Sequence, residues 1–262
     1  MSAVAVETNQ YLAESGHWYH PDGSPAYTVI GKNGKRRKTT LRDGKAMGLL
    51  PSVTTILGVL DKPGLNRWRE NLIVEHTNDT PRILGESNDA YVRRIFDKHK
   101  KISKDAADAG TRIHAVLEDY FGNERKIIRT ASEQKMLDKV IETEFTIAED
   151  KEGWEFETPL VNLEIGYAGK TDKLHRAEQI VLDYKTKDFD DPDKVKGYPE
   201  QAMQLGAYAR AAGFTQPRLI NLFISRDNPG LVKIIEHDDA ARWMKAFDTL
   251  ATYFRLVRGM DT

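Results

Sequence analysis

The sequence predicts one α/β core, a mixed and mostly antiparallel sheet flanked by helices, behind an N-terminal β-hairpin and helical elaboration. Three observations predict it. A length of 262 residues fits one large domain or two small ones at about 150 residues per domain. An apolar fraction of 40% is enough to bury a substantial core. The hydrophobic period then changes along the chain, from helical spacing before Gly153 to strand-like runs after it. The expected division is residues 1–104 for the elaboration and 105–262 for the core.

The elements follow in order. Ala26 to Ile30 and Arg36 to Thr40 read as strands around a Lys32-Asn33-Gly34-Lys35 turn. Ser52 caps a short helix to Leu60, and Pro63-Gly64 breaks the chain. Leu65 to His76 and Asn88 to Lys101 read as helices. A separate, stronger helix is expected to start at Ser103 or Asp105, carry Ile113, Val116, Leu117, Tyr120 and Phe121 on one stripe, and stop at Gly122. Ser132 to Ala148 is a further helix. Trp154 to Leu163, Tyr167 to His175 and Ile180 to Lys187 read as strands. Pro199 to Ala212 is a helix with proline in its first turn, and Leu219 to Ser225 and Leu231 to Glu236 are strands. A last helix presents Met244, Phe247, Leu250, Ala251, Phe254 and Val257 as its apolar stripe.

Composition removes whole classes of chemistry. The absence of cysteine excludes disulfides, thiolate zinc sites, thiol nucleophiles and cysteine-ligated iron–sulfur clusters. The longest uncharged run, Ala46 to Leu60, is too short for a bilayer and contains Pro51, so no membrane partner is expected. The first residues carry no basic segment followed by an apolar one, so a cytoplasmic location is expected. A formal net charge of −1 hides two basic stretches, Lys32 to Lys45 and Arg93 to Lys104, which suit a polyanion or simply solvated loops and helix faces.

The chemistry concentrates between Gly169 and Lys185. A hairpin with its turn at Arg176 to Gln179 is centred between Ala177 and Glu178, which sets Asp172 directly opposite Asp183. Cross-strand partners have Cβ atoms about 4.5–5.5 Å apart, so the two carboxylates can share a hard cation. Lys185 lies two residues from Asp183, on the same strand face. Like charges placed opposite each other destabilise a sheet. Either Lys170 and Lys185 neutralise an exposed strand face, or the acids bind a divalent metal while Lys185 orients or deprotonates a water that attacks a phosphodiester. Gly169-Lys170-Thr171 looks like the end of a phosphate-binding nucleotide loop, but Glu164 stands where that loop needs glycine. Elsewhere His114 and Glu118 are one helical turn apart, and Gln201, Gln204 and Tyr208 share a helix face.

The ordered set Gly110-x-x-x-His114, Gly169-x-x-Asp172, Asp183-x-Lys185 and Gln204-x-x-x-Tyr208 resembles the RecB-like exonuclease branch of the PD-(D/E)xK nucleases. The segment Pro51 to Leu57 resembles phage exonucleases related to the mitochondrial genome-maintenance exonuclease. The resemblance covers roughly residues 107 to 212. It implies a restriction-endonuclease-like core and a DNA nuclease of a bacterial or phage-infected cell. It names no pathway, being compatible with recombination, repair or phage DNA processing, and recombination or replication proteins are candidate partners. It implies Mg²⁺ or Mn²⁺ held by His114, Asp172, Asp183 and the Tyr184 backbone carbonyl, with Lys185 as the catalytic lysine. Gln204 and Tyr208, with Gln201 beside them, would hold the scissile strand, and Glu118 matches a carboxylate of some relatives. No iron–sulfur cluster is expected, because this chain has no cysteine to bind one. Arg36, Arg37 and Trp68 are candidate contacts to DNA through phosphates and a stacked base. The expected activity is exonucleolytic, on single strands or duplex ends. A structure-specific endonuclease or nickase of the same fold, and a silent nucleic-acid-binding module, are the alternatives.

Overall fold

The computed structural model describes residues 17–122 and 126–260. The N-terminal part holds two small sheets. Trp18–Tyr19 (β1) pairs antiparallel with Leu50–Pro51 (β4), and Thr28–Ile30 (β2) pairs antiparallel with Arg36–Lys38 (β3). Between them lies a helix that the sequence analysis did not anticipate, Leu41–Met47 (α1). Its signals are local: Thr40 and Asp43 cap each other reciprocally, and Gly48 ends it with φ of 63°. The short helix after Ser52 spans Val53–Leu57 (α2), with the Ser52 hydroxyl accepting from the Thr55 amide.

Pro63–Asp79 (α3) and Asn88–Phe121 (α4) follow. The break expected near Ser103 is absent, and α4 runs through 34 residues. Nothing in that stretch stops a helix: there is no proline, the first glycine is Gly110, and the Ser103 hydroxyl finds no hydrogen-bond partner. The 104/105 division therefore falls inside α4. The first half of α4 packs antiparallel to α3, with Tyr91 donating to the Thr77 carbonyl and Lys98 to Thr80. The second half buries Val116 and Leu117 under the sheet. Ala131–Glu144 (α5) is capped by Thr130 and Glu133.

The core is a five-stranded sheet, β5-β6-β7-β8-β9, of Trp154–Asn162, Tyr167–His175, Ile180–Lys187, Arg218–Ser225 and Val232–His237. Every neighbouring pair is antiparallel except β7 and β8, which are parallel and joined through Pro199–Ala211 (α6). Ala240–Arg258 (α7) closes the chain. The architecture is mixed α/β with helices on both sheet faces. Ile180, Leu182 and Tyr184 of β7 pack with α4 and α5, while Val181 packs with α2, α6 and α7. That period of two carries Asp183 and Lys185 onto the α6 side. On α7, which packs against α6, the expected stripe holds at Phe247, Ala251 and Phe254, but Val257 is exposed. Among the described residues, no helix is long and apolar enough to cross a membrane.

Candidate metal and nucleic-acid site

The hairpin register is as expected up to a point. His175 pairs with Ile180, Leu174 with Val181 and Lys173 with Leu182, leaving Arg176 to Gln179 as the turn. The ladder ends there, one step short of Asp172 and Asp183, so the two acids are not a ladder pair as the sequence suggested. The strands separate, and the Tyr184 amide donates to Asp172 Oδ2 at 2.8 Å. Separation relieves the like-charge contact that a closed ladder would impose, although not fully. Burial, then the neighbouring Asp183, pushes Asp172 up to about 6, against the opposing pull of His114 and Lys185. Asp172 Oδ1 accepts no hydrogen bond among the described residues.

Asp183 is buried and hydrogen-bonded at both oxygens, with a single donor on Oδ1. Lys185 Nζ lies 2.6 Å from Oδ2, Gln204 Nε2 donates to Oδ1 at 3.0 Å, and Asn221 Nδ2 donates to Oδ2 at 3.0 Å. Lys185 Nζ also donates to Gln204 Oε1 at 3.0 Å, so lysine, glutamine and aspartate form a closed ring of contacts. Lys170 does not neutralise this face, since it pairs with Glu157 on β5.

Two glycines explain why the motif residues sit so close. A Cβ on Gly110 would meet Thr186 Oγ1 at 2.7 Å, so glycine lets α4 approach β7 and bring His114 in. A Cβ on Gly169 would meet the Tyr208 ring at 2.7 Å and Val53 Cγ2 at 3.2 Å, so glycine seats α6 and α2 on β6. The Pro51 to Leu57 segment thus covers the strand that carries Asp172, with Ser52 bridging to Ala168.

The other expected residues divide. His114 Nδ1 is 3.9 Å from Asp172 Oδ2, and its ring packs edge-on to Tyr184. Glu118 lies one turn further along α4, and its carboxylate has no hydrogen-bond or ion-pair partner among the described residues. Tyr208 is only 3% exposed, which leaves its ring no face for a strand; its hydroxyl meets Gln204 Nε2 at 3.5 Å instead. Gln201 accepts from the Tyr198 amide and so caps α6. Arg37 forms a two-pronged pair with Asp43, at 2.6 and 2.8 Å, while Arg36 is exposed on β3. Trp68 on α3 is 43% exposed and 6.2 Å from the His99 ring.

Sequence reasoning missed several participants. Asn221 was legible as the one polar residue inside Leu219 to Ile224. Lys173, on the far face of β6, pairs with buried Glu144, which also binds the Tyr184 hydroxyl. Phe121, Phe156 and Trp154 surround its ammonium at 3.8, 4.9 and 5.0 Å. One carboxylate thereby ties together the residues that follow Asp172 and Asp183. A cavity of about 200 Å³ opens in front of Lys185, lined by Thr54, Leu57, Lys62, Glu200, Gln201 and Gln204.

Among the described residues, no three His, Asp or Glu side chains stand close enough together to hold a metal ion. The residues left to offer a metal are the two carboxylates, Asp172 and Asp183; His114, 3.9 Å from Asp172 Oδ2, completes no three-ligand group with them. That chemistry fits Mg²⁺ or Mn²⁺, since Mg²⁺ takes one or two carboxylates and leaves its other positions to water and phosphate oxygens.

No family model matches the chain, and no curated protein does. A solved structure described as a crystal structure of SSO0001 aligns with 55% of this chain and 75% of that one, at 15% identity and a TM-score of 0.30. A likeness of that size carries no conclusion about function.

Proposed function

We propose that this protein is a metal-dependent DNA exonuclease that hydrolyses phosphodiester bonds from single-stranded or duplex ends. The observation that carries the reading is the meeting of Asp172, Asp183 and Lys185 where the β6–β7 ladder opens, with Lys185 itself lining a cavity. Two acids and a lysine gathered at the end of a buried hairpin have no packing purpose, and their cost needs a compensating use. Asp172 and Asp183 would hold Mg²⁺ or Mn²⁺, with the Tyr184 carbonyl as a further oxygen and His114 beside Asp172 rather than in a three-side-chain ligand set. The ion supplies positive charge where negative charge develops on the phosphate. Asp183 and Gln204 aim the Lys185 ammonium, which holds the attacking water and the phosphate oxygen in line. On the arm that α3 and α4 form, the cations Arg93, Arg94, Lys98, Lys100, Lys101 and Lys104 of α4, with Arg67 and Arg69 of α3, would contact the phosphates of a bound strand. Recombination, repair or phage DNA processing in a bacterial or infected cell is the setting that such an activity serves.

The test is digestion of end-labelled linear strands, blocked separately at each end, with and without Mg²⁺. Circular single-stranded DNA runs beside them. Cleavage of linear substrate with the circle intact supports exonuclease action. A cut circle moves the assignment to an endonuclease, and binding without any cleavage moves it to a silent binding module.

A further inference from the structure

We propose that Asn221 and His237 are positioning residues for Asp183, a chain of one buried and one half-buried side chain that fixes how that carboxylate presents its oxygens to the cleft. The inference rests on the metal reading above. Asn221 is fully buried in β8, directly beside Asp183 in the parallel ladder. A lone amide in an apolar strand costs stability unless its polar atoms are bonded, and an apolar residue of the same size would serve packing better. Here every polar atom is used. Nδ2 donates to Asp183 Oδ2 at 3.0 Å and to the Asp183 carbonyl at 3.3 Å, while Oδ1 lies 2.8 Å from His237 Nε2.

The chain has a direction. An asparagine amide can turn over, and the turned form would set Oδ1 against the Asp183 carboxylate. Oδ1 carries no proton, so the contact with His237 requires Nε2 to donate. That donation selects the orientation in which the amide gives its N–H to Asp183. The histidine is pinned in turn: a Cβ on Gly197 would lie 2.7 Å from His237 Cε1 and 3.2 Å from Ile235 Cγ2. Gly197 precedes α6, which delivers Gln204 to the other Asp183 oxygen. β8, β9 and α6 thus hold one carboxylate from separate directions.

The experiment is calorimetric titration of the full chain with Mn²⁺ for wild type, Asp183→Asn, Asn221→Ala, His237→Phe and His237→Gln, with melting in chelator alongside. Partners that orient metal ligands are worth about 10–100-fold in affinity, and Asn221→Ala and His237→Phe are expected to weaken Mn²⁺ by that factor. His237→Gln, whose amide can still donate to Asn221, is expected to retain most of the affinity. Wild-type affinity in Asn221→Ala and His237→Phe would overturn the proposal whatever their melting temperatures. Equal weakening by His237→Phe and His237→Gln would assign the effect to packing and overturn it as well. A wild-type chain that binds no Mn²⁺, or binds it equally after Asp183→Asn, overturns the metal reading and removes this inference with it. Because His237 stands one bond further from Asp183 than Asn221 does, the histidine pair keeps the test decisive if Asn221→Ala does not fold.

Discussion

In β7 the run from Ile180 to Tyr184 is buried at every position, whereas α3 buries His76 alone across 17 residues. The two regions also treat polarity differently. Around β7, Asp183, Asn221, Glu144 and Lys173 are buried and bonded to one another or to their neighbours. Along α3 and the first half of α4, Leu65, Trp68, Val74, Val92 and Phe96 are exposed among Arg67, Arg69, Arg93 and Lys101, and Leu84 between the helices is 102% exposed. Precise chemistry needs groups locked by surrounding contacts, and the sheet supplies that rigidity. Exposed aromatics with arginines suit a long, variable, charged ligand, for which stacking and phosphate contacts need no fixed pocket. The difference teaches where the proposed function would divide: bonded, buried polar groups for the reaction sit in the sheet, and exposed apolar and cationic side chains for a ligand sit on the helix pair.

The largest expected effect tests the reaction proposed for the sheet. Lys185→Ala leaves both carboxylates and the Asn221 bond to Asp183 in place. Groups that activate or orient a nucleophile contribute about 10²–10⁴-fold, and single-turnover cleavage is expected to fall by that much while Mn²⁺ and DNA binding are largely kept. More than a tenth of wild-type activity in the variant would falsify a catalytic role for Lys185.

Next comes the cost of bringing the acids together. Asp172 is raised from 3.8 to about 6, so its ionised form disfavours the folded state above that range. Asp172→Asn keeps an acceptor for the Tyr184 amide and removes the charge. In chelator at pH 8 the variant is expected to melt higher, by roughly 2–4 °C for each kcal/mol relieved. The sign reverses nowhere but the gain disappears: below about pH 4 the wild-type carboxyl is neutral in both folded and unfolded chains, and the two proteins should melt together. Mn²⁺ should stabilise wild type alone, because only its site binds the ion in the folded state. A variant that melts lower at pH 8 and still responds to Mn²⁺ would make Asp172 a structural residue.

How much of this was legible follows the same division. The hairpin could be read from residues because its turn length fixed the register and its apolar run fixed the buried face. Two things could not. Whether the ladder continues past Lys173 and Leu182 depends on the competition between a backbone bond and the Asp172 carboxylate for the Tyr184 amide, which no local pattern encodes. The partners of Asp183 on β8 and of Lys173 on α5 lie 38 and 29 residues away, beyond any periodicity. On the arm the expected break at Ser103 failed for the opposite reason. A capping residue is a sufficient start only where the preceding turn is interrupted, and here it is not. Tyr208 and Gln201 were placed on a shared helix face correctly, but spacing says which residues neighbour each other and not which of them meets solvent.

The proposed grip of the helix pair on DNA predicts a salt effect. Arg67→Gln with Arg69→Gln removes two exposed cations beside Trp68, neither with an ion-pair partner among the described residues. For single strands each phosphate contact contributes about 0.7 to the slope of log K against log salt, so the double variant should flatten the slope by up to twice that. Cleavage at saturating substrate should be unchanged. An unaltered slope would leave the arm a solvated helix pair with no part in binding.

The smallest effect separates two neighbouring arginines on β3. Arg36 and Arg37 look equivalent in sequence, but Arg37 already spends its guanidinium on Asp43 in a two-pronged pair, and Asp43 also caps α1 through the Thr40 amide. That pairing holds Asp43 far below the ordinary carboxylate range, with the Arg37 hydrogen bonds the largest cause and the Thr40 bonds next. Arg36 has no such partner among the described residues. If β3 touches phosphates at all, Arg36→Gln should flatten the salt slope by about 0.7, the value of one contact on a single strand. Arg37→Gln should leave the slope alone, because the arginine must give up Asp43 before it can take a phosphate. A loss of slope on Arg37→Gln would mean that DNA displaces Asp43, and that the α1 cap and the grip on DNA compete for one guanidinium. Titrations of both single variants at four salt concentrations, read against the Arg67 and Arg69 pair, distinguish a gripping surface confined to the arm from one that extends onto the small sheet.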